Sequence, residues 1–501
     1  MTEKSHLVKT TIFGNFINIL SSIALMLRGL LIASKLGPTN FGLFNSLQVI
    51  AEYLFYIGGG TNFGLDKQYP YFLGSGKKKR LFFFTAKVFR INYCIIFIIM
   101  ISSFIAYIIS QYNVKSFGSF IISIAYLTSM LIIFRLGLSL IRAQGRFYMY
   151  ALLNLFVAIL STLLIYLFNN INSTDSLIII ALSYNIVFIT VILTNKKIFK
   201  LSLIKVNINL SPFIKMSLSM LLYNLSLTVF VNLDRFIGGF FLPLNDFGSY
   251  AFATLWNKSV FLVPSTFATF LLPVIIKKIG SGWSVENIIA NLINTNVILI
   301  FVFSIILIIL SSIYPLIIDL FFIEYNKSIL ILFILLLSSS FKTLTIYCST
   351  ILIGKGNQNI LTKTNILLAG FFILATTLSS IFNLLNYLVF SLLYLLSSFI
   401  YSLIILNNFN KIIKNDNIVI REFKNYFKMI IFSCLSLVIP VMYNLEFINR
   451  LSYFHYSILA IINIAISIPL FIILVKVSIP SYYVIVINEI IGNIGNLFIK
   501  K

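Results

Sequence analysis

The chain has 501 residues, of which 59% are hydrophobic and only 10% charged, with 37 Lys and Arg against 13 Asp and Glu. Soluble domains carry about 25% charged residues, so a water-soluble globular protein is excluded. The net charge of +24 does not point to nucleic acid either, because Lys and Arg crowd into every second loop between apolar stretches, where they set topology and meet anionic headgroups.

A membrane span needs roughly 20 apolar residues at ~1.5 Å rise each. In chain order such spans fall near 12–34, 43–60, 91–110, 119–141, 148–168, 177–195 and 213–240, then near 248–272, 290–312, 328–353, 360–381, 386–406, 427–445 and 454–475. The first run is too long for a cleavable signal peptide and has no small-residue cleavage site, so it reads as span 1. An even number of spans puts both termini on one side. If that side is the cytoplasm, the inner segments hold 28 of the 37 Lys and Arg, the outer loops hold Lys35, Lys115, Lys327 and Arg450, and five cations remain inside spans. The expectation is an all-α, polytopic membrane protein with about 14 transmembrane helices and both termini cytoplasmic. The loops on the far side are short, so the working parts lie within the membrane.

The chain echoes itself. Span 1 leads from Arg28 to Leu36-Gly37-Pro38-Thr39-Asn40-Phe41-Gly42, and span 7 leads from Arg235 to Leu242-Pro243-Leu244-Asn245-Asp246-Phe247-Gly248. After span 4, Gly145 precedes Asn154 by nine residues; after span 10, Gly356 precedes Asn365 by nine. The offsets run from 206 to 211 residues, which is six spans. Repeats of six spans share one orientation and are related by an axis along the membrane normal. Residues 1–205 then form an amino-terminal six-helix lobe and 206–410 a carboxy-terminal one. Residues 411–501 add a basic loop, spans 13 and 14 and a cytoplasmic tail. Two lobes about a central cavity are a transporter design.

The cations inside spans are Arg28, Arg135, Arg235, Lys258 and Lys342. Each costs about 2.5–3.5 kcal/mol at the bilayer centre. They must therefore pair, snorkel or face water, and only two acids, Glu52 and Asp234, sit in spans. The simplest solution is a wet, cationic cavity for an anionic ligand: Arg supplies a planar fork for phosphate, and Lys a point charge. Arg28 falls in the outer half of its span, Arg235 near the outer end, Lys258 and Lys342 near mid-depth, and Arg135 in the inner third. Snorkelling competes for Arg135 and Arg235. Pairing with Asp234 competes for Arg235, although neighbours on a helix point about 100° apart. Glu52 and Asp234 divide between counter-ion and proton-coupling roles.

Pro243, Pro264 and Pro273 bracket span 8 and Pro315 ends span 9; Pro243 and Pro315 read as helix terminators. Cys94, Cys348 and Cys434 lie in apolar spans without a pairing pattern, and His6 and His455 have no ligand-like neighbours, so no metal set is expected. No catalytic constellation or cofactor motif stands out.

The runs Arg28-Gly29-Leu30-Leu31-Ile32-Ala33-Ser34-Lys35-Leu36-Gly37-Pro38-Thr39-Asn40-Phe41-Gly42-Leu43, Arg142-Ala143-Gln144-Gly145-Arg146, Asp234-Arg235 followed by Phe247-Gly248-Ser249-Tyr250-Ala251, and Gly354-Lys355-Gly356 together resemble the Wzx-type polysaccharide flippases. These belong to the multidrug/oligosaccharidyl-lipid/polysaccharide exporter superfamily. The resemblance implies two six-helix lobes around a cationic cavity and no enzymatic activity. It implies transfer of an undecaprenyl-pyrophosphate-linked oligosaccharide, such as an O-antigen or capsule repeat unit, across the bacterial inner membrane. Membrane lipids are the surroundings, and a polysaccharide polymerase and chain-length proteins are the implied protein partners. The family's span-1 arginine corresponds to Arg28, and its span-7 Asp-Arg pair to Asp234 and Arg235; Lys258 and Lys342 are assigned from depth alone. Within the superfamily, a peptidoglycan-precursor flippase has the same span number and stays open. Drug antiporters usually have twelve spans and acidic sites, and a polymerase or ligase needs a large outer loop with catalytic Arg or His.

Overall fold

The computed structural model describes residues 3–74, 78–113, 115–144, 146–196, 211–280, 285–355, 357–413, 425, 428–429, 431–432, 453–481 and 483–484. Twelve helices run through them: α1 (Glu3–Gly74), α2 (Lys78–Asn113), α3 (Lys115–Ala143), α4 (Phe147–Leu167), α5 (Ser173–Thr194), α6 (Ser211–Phe241), α7 (Leu244–Gly280), α8 (Val285–Phe321), α9 (Ser328–Gly354), α10 (Gln358–Ile381), α11 (Tyr387–Ile413) and α12 (Tyr453–Ser478). Among the described residues there is no strand, and ten helices are long and apolar enough to cross a membrane. The expected span near 427–445 lies largely outside the described residues.

The sequence reading puts a loop between spans 1 and 2. Instead, α1 carries both, interrupted at Gly37 alone (φ 68°, ψ 171°). A residue before proline is driven to extended ψ, and a φ of this sign suits glycine. Pro38 then opens the second limb, where its missing N–H leaves no helix bond unmade. One Gly-Pro step thus does the work of a loop.

The chain divides into two compact units, Met1–Ala251 and Phe252–Lys501. In the first, α1 packs on α3, α4 and α6, while α2 and α5 pack on α3. The core gathers Phe84, Val88 and Phe89 of α2, Phe134, Leu138 and Ile141 of α3, Val157 of α4 and Val187, Phe188 and Val191 of α5. Polar contacts fix α1 along α4: Thr162 Oγ1 donates to the Ala24 carbonyl, at 3.0 Å. Lys35 Nζ donates to the carbonyls of Ile165 (2.7 Å), Tyr166 (3.1 Å) and Phe168 (2.6 Å). The last carbonyls of a helix lack intrahelical partners and carry partial negative charge, so one ammonium satisfies three of them.

The echoed Phe-Gly pairs meet in this unit. Phe41 and Phe247 are both buried. A β-carbon at Gly42 would overlap the Leu244 carbonyl oxygen, and one at Gly248 would overlap the Pro38 carbonyl oxygen. Each glycine lies against the backbone four residues before the other, so only hydrogen fits at either place.

In the second unit α9 and α10 pack on α11, and α12 packs on α8. Val297, Ile300, Phe301 and Ile308 of α8 bury Phe471 and Val475 of α12. Hydroxyls and amides join helices where lipid offers no substitute partner: Ser338 Oγ to Ser398 Oγ at 2.6 Å, and Ser339 Oγ to Asn257 Oδ1 at 2.7 Å.

The outer faces explain the composition. Phe97, Ile101, Phe104 and Ile108 of α2, and Leu152, Phe156, Ile159 and Leu163 of α4, are exposed at helical spacing. In water such stripes aggregate; in hydrocarbon they are the proper surface, with backbone bonds closed inside each helix. The protein is a multi-pass, all-α membrane protein.

Candidate functional site: an arginine-lined cavity

Three helices of the first unit turn polar stripes toward one space. On the second limb of α1 these are Gln48, Glu52 and Tyr56; on α3 Arg135, Ser139 and Arg142; on α6 Asn224, Thr228 and Asn232. All three sets recur every three to four residues, which places each on one helix face. Apolar residues on the backs of α3 and α5 fill the core and fix the rotation of α3. Arg28 enters from the first limb of α1, Tyr150 from α4 and Tyr184 from α5, enclosing about 400 Å³.

The charged lining is three arginines, Arg28, Arg135 and Arg142, and one carboxylate, Glu52. Arg28 is half-buried, its Nη1 donates to Ser161 Oγ at 3.2 Å, and its Nε is buried without a hydrogen-bond partner among the described residues. Arg135 is exposed to the cavity despite its place within a span. Arg142 lies two helical turns further along the same face and reaches to 5.7 Å from the Tyr150 ring centroid. Tyr56 closes the lining with a hydroxyl contact to Thr228 Oγ1.

Arg235 stands behind this lining rather than in it. It is buried; its Nη2 donates to Asn232 Oδ1 at 2.6 Å and meets Glu52 Oε2 at 3.4 Å. Asp234 points elsewhere, accepting a hydrogen bond from the Tyr250 hydroxyl at 2.9 Å, with Oδ1 buried and unbonded among the described residues. The Asp234–Arg235 pairing offered as one sequence reading is therefore not what forms. The divergence of adjacent side chains on a helix separates them, and Glu52, 183 residues away, takes the guanidinium instead.

Arg28, Arg135 and Glu52 thus share one cavity, with Arg235 bonded to its wall. Lys258 and Lys342 belong to the second unit and are not part of this lining. Lys342 Nζ donates to the Tyr394 hydroxyl at 2.5 Å and lies 4.2 Å from that ring's centroid. Sequence reasoning missed Arg142, which it counted among the inner-loop charges; the signal was its seven-residue spacing from Arg135. It also missed the Asn224, Thr228 and Asn232 stripe, whose four-residue period was open to inspection.

No family model and no curated protein matches the sequence. Solved structures do match in fold. A lipid II flippase, MurJ, in an inward closed conformation is 16% identical with a TM-score of 0.66, covering 94% of this chain and 99% of that one. A eukaryotic MATE transporter is 13% identical with a TM-score of 0.55, covering 85% and 99%. A Vibrio cholerae MATE transporter, VcmN, in its bent form is 13% identical with a TM-score of 0.51, covering 84% and 100%. The chain has the fold of these membrane transporters.

Proposed function

We propose that the chain is a flippase for an undecaprenyl-pyrophosphate-linked oligosaccharide, an O-antigen or capsule repeat unit, working by alternating access in the bacterial inner membrane. The observation that carries this reading is a polar cavity with three arginines and one carboxylate inside a helical bundle whose outside is apolar. Retained cations at such depth are expensive unless a ligand uses them. Arginine forks suit the two phosphates, and the wet cavity suits the sugars, while the polyprenyl tail stays in lipid. Arg28 and Arg135 are the proposed cavity cations of the first unit, joined by Arg142; Arg235, expected among them from the sequence, backs the cavity wall through Asn232 and Glu52 instead. Lys258 and Lys342 are the proposed ligand-facing cations of the second. Glu52 and Asp234 remain proposed coupling residues. The lobes at 1–205 and 206–410, and partnership with a polymerase and chain-length proteins, belong to the same proposal.

A second reading, transport of a lipid-linked peptidoglycan precursor, draws support from the higher TM-score against the lipid II flippase than against the MATE transporters. Complementation separates the two. The chain is expected to restore surface polysaccharide in a strain lacking its polysaccharide flippase and to leave a strain depleted of lipid II flippase unrescued. The reverse pattern replaces the first reading with the second, and rescue of neither removes both.

The proposed orientation has its own test. With alkaline phosphatase fused after residues 75, 172, 200 and 420, only the fusion at 172 is expected to be active. Activity at any of the other three overturns the cytoplasmic placement of the termini.

A further inference from the structure

Glu52 is the one acidic side chain among the described residues lining the arginine cavity, and its placement is odd for a structural ion pair. A built-in pair normally buries both partners and holds them with short, charge-assisted bonds of about 2.7–2.9 Å. Here Arg235 is 8% exposed but Glu52 is 30% exposed, and their contact is 3.4 Å. Asn232 Nδ2 reaches the same carboxylate oxygen only at 3.5 Å. The firmest bond to Glu52 comes from its own helix, from Gln48 Nε2 at 3.0 Å. Arg235, in contrast, is anchored independently of Glu52 by Asn232 Oδ1 at 2.6 Å. The shortest bond of the guanidinium is thus not to the carboxylate, and the carboxylate lines the cavity.

We infer that Glu52 is an internal competitor for the anionic ligand, a side chain that stands in for the ligand's negative charge and is displaced when the ligand arrives. This rests on the anion-carrying reading of the cavity. Transport requires binding tight enough to capture and weak enough to release, and three arginines around one small cavity favour capture. A tethered carboxylate restores the balance. It opposes the ligand at entry, swings off Arg235 and Asn232 while the ligand is held, and returns as the ligand leaves. Glu52 thereby acts as a release residue that sets affinity for the anion.

The test measures binding of inorganic pyrophosphate, standing in for the diphosphate of the ligand, to the full chain in detergent at fixed ionic strength by titration calorimetry. In Glu52→Gln, which keeps shape and removes charge, Kd is expected to fall about tenfold, while flipping in proteoliposomes slows. Unchanged or weaker binding by a folded Glu52→Gln overturns the inference. If Arg28→Ala still weakens pyrophosphate binding in that case, the anion reading survives alone. If the wild-type chain binds no pyrophosphate, both fall. Because Glu52→Gln leaves Arg235 buried without an anion, the wild type supplies a second measurement. Labelled with carboxyl-13C glutamate, it is expected to show a shifted glutamate carboxylate stretch in infrared difference spectra when pyrophosphate is added. No such band means that the carboxylate is not displaced, and the inference fails.

Discussion

Gly248→Leu is expected to prevent assembly of the first unit, and Gly248→Ala to destabilise it by about 2–3 kcal/mol. The reason is geometric. A β-carbon at Gly248 runs into the Pro38 carbonyl carbon and oxygen, which are backbone atoms and cannot rotate aside. The two helices must separate, unpacking the buried Phe41 and Phe247 beside the contact. Gly42→Ala meets the Leu244 carbonyl in the same way and is expected to cost a similar amount. Gly370→Ala is the control: nothing lies within 4 Å of its β-carbon position, in the middle of α10. There alanine is expected to be neutral or to stabilise by up to about 1 kcal/mol, through helix propensity. Thermal unfolding of the three variants in detergent checks the set. Equal stability of Gly248→Ala and Gly370→Ala refutes the crossing.

Arg28→Ala is expected to lower pyrophosphate affinity by about 10- to 100-fold, the worth of one lost hydrogen-bonding cation of about 1.5–3 kcal/mol, and to stop polysaccharide export at normal expression. Arg28 lines the cavity from the first limb of α1, and its hydrogen-bonded anchor among the described residues is a neutral hydroxyl, Ser161, at 3.2 Å. Losing it strands no acid. The variant therefore inserts and folds, which separates a binding role from a structural one. Lysine at this position is expected to restore part of the affinity, because charge returns but the two-pronged donor does not. Normal export by the alanine variant, with normal pyrophosphate binding, removes Arg28 from the site.

Much of this was open in the sequence, for reasons that can be named. Apolar runs and alternate basic loops are one-dimensional signals, set by bilayer thickness and insertion energetics, and they survive without any tertiary information. Arg28 and Arg135 stood out because a cation in a span is costly wherever its helix turns. Arg142 did not, because a cation at a helix's inner end is what topology alone produces. Only the rotation of α3, fixed by Phe134 and Ile141 on its buried side, turns Arg142 into the cavity. The partner of Arg235 was equally hidden. Asp234 is next in the chain and Glu52 is 183 residues distant, yet helix geometry sends the two neighbours of α6 to different places. The continuity of α1 through Gly37 was missed because Gly-Pro reads as a turn, and only the backbone angles reveal a break of a single residue.

The glycine crossing has a bearing on how such a chain arose. Gly42 abuts the carbonyl four residues before Gly248, and Gly248 abuts the carbonyl four residues before Gly42. One patch is presented twice and meets itself, which is the defining property of an isologous contact between identical subunits. A half-length ancestor paired in this way would have carried one glycine, and any larger residue there would have struck both sides of its dimer at once. A fusion of two gene copies would divide that burden. The flanking residues would then be free to part company, as Gly37-Pro38 and Pro243-Leu244 differ here, whereas each glycine would still be hemmed in by the other helix's backbone rather than by a side chain that drift could trim.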